Sequence, residues 1–337
     1  MNGMPQRFGV ALLLVALLLP GLAAGFDKPG TTAATFLQIM PGSRVPAMGG
    51  AGVALAGGAE MLAINPAAIA SDRFSASFAY NDWFAGLEHQ TLAVSAPVRP
   101  NLRVGIHAIS FGGDEFEQTT LEMQNGNGVM VDYGDLAVGA SAIMQLTDRF
   151  TVGVTGKYIR QDLFHTSAQT GAVDVGTLLH TTLDGFSIGM AMTNLGGDMQ
   201  LTGQDLIAEA ESEDAAESRL HTSKWPLPLT FQFGFGWRLV GEQNAFWQDD
   251  IHEFTLAVDS RHLNEGVTTV HAGGEYGLYD IVFLRGGHSL NHDTEEWAFG
   301  GGVRVNLHSL TVDADFAYAD MGDLNSVKRV TLSIRGR

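Results

Sequence analysis

From Arg73 to the C-terminus, apolar and polar residues alternate one by one. In the stretch Leu229-Thr-Phe-Gln-Phe-Gly-Phe-Gly-Trp-Arg-Leu239, every odd position is large and apolar, and the even positions are small or polar. Phe186, Ile188, Met190 and Met192 repeat the pattern, as do Trp297, Phe299, Gly301, Val303, Val305 and Leu307. A strand sends successive side chains to opposite faces, so each segment has one greasy face and one small or polar face. About fourteen such segments follow one another, centred on 74–82, 90–98, 102–111, 133–146, 150–161, 172–181, 186–194, 229–240, 253–261, 268–277, 281–287, 297–307, 310–318 and 327–335. Many have the nine to eleven residues or so that a tilted strand needs to cross a bilayer.

The links alternate in length. Short ones follow the second, fourth, sixth, tenth and twelfth segments; longer ones span 112–132, 162–171, 195–228, 288–296 and 319–326. The link 241–252 breaks the rule by being long where a short one is due. Membrane barrels have short periplasmic turns and long outer loops, so an even strand count in this phase puts both termini in the periplasm.

Charge tests the choice of faces. If the large apolar residues face outward, then His107, Lys157, Asp174, His180, Arg238, Asp259, Arg261, His271, Glu275, Arg285, Arg304, Asp313, Asp315 and Arg329 all face inward. Only Arg160 and Lys328 face out, near segment ends where a long stem reaches the headgroups. A charge on the lipid face at mid-bilayer costs roughly 2–4 kcal/mol. A soluble barrel would bury all the inward charges in its core, at greater cost. The alternation therefore predicts an all-β transmembrane antiparallel barrel over residues 73–337, with an apolar outside and a polar lumen.

The first 72 residues do not alternate. Residues 1–25 read as a signal peptide: Arg7 supplies the positive start, 10–19 are apolar, and Ala23-Ala24-Gly25 offers small residues for cleavage after Ala24 or Gly25. The apolar run is too short to span a membrane. Residues 26–72 contain a helix-like stretch at 33–40, then Gly- and Ala-rich sequence and Asn65-Pro66-Ala67. This segment has too few large apolar residues to fold alone. It is expected to plug the lumen as a hatch.

Composition narrows function. The chain has 337 residues, 42 of them glycine and none cysteine, which excludes disulfides, thiolate metal sites and a lipidated N-terminal cysteine. Its formal charge of −18 argues against a nucleic-acid partner. No Gly-x-Ser-x-Gly elbow or His-Glu-x-x-His pattern occurs, so nothing in the sequence points to catalysis or to a cofactor.

Gly30-Thr31-Thr32-Ala33-Ala34-Thr35-Phe36-Leu37, then Gly42-Ser43-Arg44, Met48-Gly49-Gly50-Ala51 and Asn65-Pro66-Ala67, resemble the opening of the PorV/PorQ family. The likeness continues in the stretch from Phe150 to Arg160, in Thr193-Asn194, Pro226-Leu-Pro-Leu, Gly274-Glu275-Tyr276 and Leu284-Arg285-Gly286-Gly287. That family looks like the fatty acid transporter FadL in fold, a barrel of fourteen strands with an N-terminal hatch. The resemblance implies an outer-membrane protein of type IX secretion, partnered by secretion components or by the C-terminal signal domains of cargo. The chain departs from the barrel norm by ending Ile334-Arg335-Gly336-Arg337, without a terminal aromatic residue. The alternative function is a FadL-like transporter with a hydrophobic ligand.

Three sites stand out. The hatch offers Arg44, Gly49, Gly50, Asn65, Pro66 and Ala67, where glycines allow unusual backbone and Pro66 stiffens a turn. The inward Arg304, Asp313, Asp315 and Arg329, on three neighbouring strands, are expected to form one lumen charge network. An acidic loop holds Asp205, Glu209, Glu211, Glu213, Asp214 and Glu217, read either as a docking surface or as a solvated loop. His288, His292, Asp293, Glu295 and Glu296 are the densest His/carboxylate group, but they fall on a hairpin loop where metal-ligand spacing has no geometric meaning, and no metal is expected there.

Overall fold

The protein is described here by a computed structural model covering residues 30–69, 73–208, 218–266, 268–292 and 294–336. Fourteen strands close into one antiparallel barrel. They are β1 (Ser75–Asp82), β2 (Leu87–Arg99), β3 (Leu102–Gly113), β4 (Tyr133–Thr147), β5 (Phe150–Leu163), β6 (Thr166–His180) and β7 (Phe186–Gly196). The circuit continues with β8 (Thr230–Gly241), β9 (His252–Leu263), β10 (Thr268–Leu278), β11 (Val282–Leu290), β12 (Trp297–Asn306), β13 (Leu310–Asp320) and β14 (Ser326–Gly336). Each strand pairs with the next, and β14 closes on β1 with Arg335 opposite Ser75 and Lys328 opposite Asp82. β14 is paired on both sides, with β1 and with β13.

Every expected segment holds one strand. The largest difference is the link expected at 162–171. β5 and β6 instead run on and meet in a two-residue turn, Phe164-His165, with Phe164 at a φ of 50°. Ladder pairing there continues to Leu163 opposite Thr166. Once strands rise past an apolar layer, both faces meet water, and a strand no longer needs a greasy side to persist. The long 242–251 link is also present; Trp247 and Gln248 lie parallel to the end of β8. Asp249 caps its return by accepting from the backbone N–H groups of His252 and Ile251 at 2.7 and 2.8 Å, which holds its carboxyl below the ordinary range.

The faces follow the alternation. Ile106, Leu284 and Val330 point out and are 62%, 61% and 53% exposed. His107, Lys157, Asp174, Asp259, His271, Glu275, Arg285, Asp313 and Arg329 point in and are buried. Arg160 is outward and pairs with Asp162 at 2.7 Å. Asn194 escapes parity. Between β6 and β7 the register shifts at Val173/Val175, so that Thr193 and Asn194 together oppose Asp174. This bulge sets Asn194 at a φ of 65° and turns its side chain inward, where Lys157 donates to it. Its backbone N–H also meets Asp174 at 2.7 Å.

The hydrophobic core lies inside the barrel. Residues 30–69 run through the lumen, with Phe36, Met48, Met61 and Leu62 fully buried. The expected 33–40 helix is a single 3-10 turn, Thr35–Gln38, entered through Ala34 at a φ of 50°. One α turn follows, α1 (Arg44–Ala47), then 3-10 turns at Ala59–Ala63 and Pro66–Ala68. One end of the barrel carries the start of β1, the end of β14 and the turn at Pro100-Asn101; we call it the terminal end. The other is the loop end. The inner segment starts near the loop end, where Thr32 donates to Glu265 at 2.6 Å and the Ala33 N–H to the Pro226 carbonyl at 2.9 Å. It leaves at the terminal end, where Arg103 holds the Ile69 carbonyl at 2.5 Å.

Candidate functional site: a latched hatch and the cavity above it

Glycine explains how irregular backbone fits against a barrel wall. Several inward strand positions are glycines, and a methyl group at each would strike the hatch. At Gly153 it would sit 2.6 Å from the Pro66 carbonyl carbon, at Gly105 2.6 Å from Leu62, and at Gly300 2.6 Å from Ala47. At Gly287 it would overlap the backbone between Met48 and Gly49. From the other side, Gly49 and Gly50 adopt φ of 65° and 86°, and a side chain on Gly49 would meet His288 N at 2.5 Å. The excess of glycine thus builds sockets for the hatch.

Polar latches lock the fit. Asn65 is fully buried; its amide donates to the Val53 and Thr177 carbonyls at 2.7 and 3.1 Å, and its oxygen accepts from the Ala67 N–H at 3.0 Å. Pro66 opens the turn that follows. Asp259 on β9 accepts from the Gly52 and Val53 N–H groups at 2.6 and 2.8 Å, and from Gln232 at 2.9 Å. The Gly49 carbonyl accepts from Ser289 at 2.8 Å. Arg44 donates twice to Glu275, at 2.9 and 2.7 Å, and to the Ala56 carbonyl at 2.9 Å. All six expected hatch residues therefore lie in this interlock. Asp259, Gln232 and the socket glycines belong with them; their only trace in the sequence was their inward parity and the paired glycines inside strands.

The expected four-residue charge network divides. Arg304 pairs with Asp313 at 2.6 Å and with Asp280, and Asp313 also takes Arg335 at 2.6 Å. Asp315 joins a second group through Arg285 at 2.5 Å, and Arg285 continues to Glu275 at 2.6 Å and so to Arg44. Both groups fill the terminal half of the lumen. Arg329 belongs to neither. The β13–β14 register sets it opposite Ala317, nearer the loop end than Asp313 and Asp315, which face Ser333 and Thr331. Parity gave its face correctly, but not its height.

Above the hatch, at the loop end, lies a cavity of about 510 Å³. Its floor includes Phe36, Met40, Gly49 and Gly50, and its walls include Trp83, Phe111 and Leu263. Among its polar residues are Arg261, Glu265, His271, His292, Glu295 and Arg329. An apolar hollow with a few convergent polar groups is the usual form of a small-molecule site.

The other candidates are not assembled there. Asp205 accepts from the His165 backbone N–H and ring at 3.2 and 3.0 Å, tying down the β5–β6 tip. Glu209, Glu211, Glu213, Asp214 and Glu217 lie outside the described residues. His288 stacks on Trp297 with ring centres 4.3 Å apart, while His292 Nδ1 accepts from the Glu295 N–H at 3.0 Å and lines the cavity. Asp293 lies outside the described residues.

The chain is thus a closed fourteen-strand antiparallel barrel holding an inner segment, with a cavity above it. Solved structures with this architecture include the toluene transporter TbuX of Ralstonia pickettii, 14% identical over 88% of this chain and 98% of that one, with a TM-score of 0.56. The CymD monoaromatic hydrocarbon channel is 12% identical over 88% and 96%, with a TM-score of 0.56. The toluene transporter TodX of Pseudomonas putida is 12% identical over 88% and 97%, with a TM-score of 0.55. No protein-family model and no curated protein sequence matches the chain.

Proposed function

We propose that this protein is an outer-membrane channel for hydrophobic small molecules, with the loop-end cavity as its binding site and the hatch as the barrier beneath. The observation that carries the reading is the cavity itself: about 510 Å³, lined by aromatic and aliphatic side chains together with a set of polar ones, and seated on the hatch. The likeness in fold to transporters and channels of toluene and monoaromatic hydrocarbons supports it. In this reading residues 1–25 are the export signal, 26–72 the hatch and 73–337 the barrel. The terminal end, with its mostly short links, faces the periplasm.

A shuttle or tether for secreted cargo, the function implied by the PorV/PorQ resemblance, draws support from one observation. Paired charges fill the terminal half of the lumen, as suits a barrel that works through its surface. That reading leaves the apolar cavity without a use, and the comparisons add nothing to it. The two separate on uptake of radiolabelled toluene by cells that lack hydrophobic-solute channels and express this protein. The channel reading expects faster uptake than in cells carrying empty vector; an equal rate contradicts it.

A further inference from the structure

Hydrogen bonding in the loop-end cavity does not balance. Arg329 is 2% exposed, and its Nε and Nη1 have no hydrogen-bond partner among the described residues. Arg261 donates through Nη2 to the Gln38 carbonyl at 3.0 Å, but its buried Nε has no partner among the described residues. Glu295, on the β11–β12 link, stops 3.9 Å from Arg329 Nη2, beyond hydrogen-bond range. The other carboxylate in the wall, Glu265, accepts from Thr32 at 2.6 Å. His271 is engaged as well, by the Gly49 carbonyl and Thr269, both at 2.7 Å. What is left over is a set of donors: Glu265 and Glu295 match the two positive charges in number, but Nε of Arg261 and Nε and Nη1 of Arg329 are buried with no acceptor among the described residues, a state that costs free energy until an acceptor arrives. Beside them stand the rings of Phe36, Trp83 and Phe111, with the Trp83 ring 5.8 Å from the Arg329 guanidinium.

We propose that the cavity takes a small organic monoanion, an aryl carboxylate, in preference to a neutral hydrocarbon of the same size. Its carboxylate accepts from the free N–H groups of Arg329, Arg261 adds a second positive charge to the same cavity, and its ring lies on the aromatic wall. Glu295 is then a weak internal substitute for the ligand's charge, close enough to compete and too far to satisfy the donors. The inference rests on the cavity being the ligand site of a channel, and it sets this chain apart from hydrocarbon channels of like fold.

Benzoate and toluene are near-isosteric and differ in charge, so calorimetric titration of the detergent-solubilised full chain with each isolates the claim. Benzoate is expected to bind about tenfold more tightly than toluene, since one charge-assisted hydrogen bond suffices for that ratio. Arg329→Met should remove that advantage, lowering benzoate affinity about tenfold relative to toluene. Glu295→Gln, a loop substitution that spares the barrel wall, should raise benzoate affinity several-fold and decides the matter if Arg329→Met does not assemble. Toluene binding as tightly as benzoate, or benzoate affinity indifferent to Glu295→Gln, overturns the charge preference and leaves the channel reading standing. Binding of neither compound overturns both.

Discussion

Neighbouring glycines on β11 show how a single residue serves either the lumen or the lipid. Gly286 faces out, and a methyl group there would meet the Phe299 ring at 3.5 Å, an ordinary contact. Gly287 faces in, and the same methyl group would occupy hatch backbone. Gly287→Ala is therefore expected to displace α1, while Gly286→Ala is neutral; limited proteolysis of residues 30–69 in the folded barrel reads the difference. Parity also predicts that Phe233→Arg impairs assembly by roughly 2–4 kcal/mol, measured by heat-modifiable migration, because Phe233 faces out. Its neighbour Gln232 faces in, as the alternation requires, but it is 5% exposed and bonded to Asp259. Gln232→Arg is thus expected to disturb the hatch as well, although a lumen-facing position read from sequence alone would be called tolerant. Period-two alternation reveals which side a residue takes. It cannot reveal what stands opposite, because the occupant of the lumen comes from distant sequence.

The strands were legible because two solvents bracket each of them. Lipid outside and a polar lumen inside force a change of character at every residue from Phe231 to Leu239, and tertiary context has little left to decide. Links were less so: the β5–β6 turn shrank to two residues because strands above an apolar layer need no greasy face to continue. The β7 bulge was hidden too, since one extra residue reverses Asn194 without any change in composition. Heights across the lumen were the weakest reading. Arg329 stood apart from Asp313 and Asp315 because height depends on ladder register, which hairpin geometry sets. The β7–β8 link offers a test on this scale. Ile207 pairs with Arg219 and Ala208 with Ser218, so the ends of the 209–217 segment are adjacent. Replacing 209–217 by a tight turn is expected to leave heat-modifiable folding and toluene uptake unchanged. Loss of folding would show that the acidic segment braces the barrel.

Across the whole molecule, the lumen divides along the barrel axis. The terminal half is closed by paired charges and by a hatch held at Asn65, Asp259, Arg44 and the glycine sockets. The loop half holds an apolar cavity with two under-bonded guanidiniums. In the proposed channel a ligand binds first and leaves only when hatch contacts yield, so occupancy of the cavity is what the proposal requires. Photolabelling of the folded protein with a small aryl diazirine, mapped by mass spectrometry, tests this most directly. Adducts are expected on Phe36, Trp83 or Phe111, suppressed by excess toluene or benzoate. Adducts confined to outward side chains such as Ile106 and Leu284, and unaffected by competitor, would contradict it.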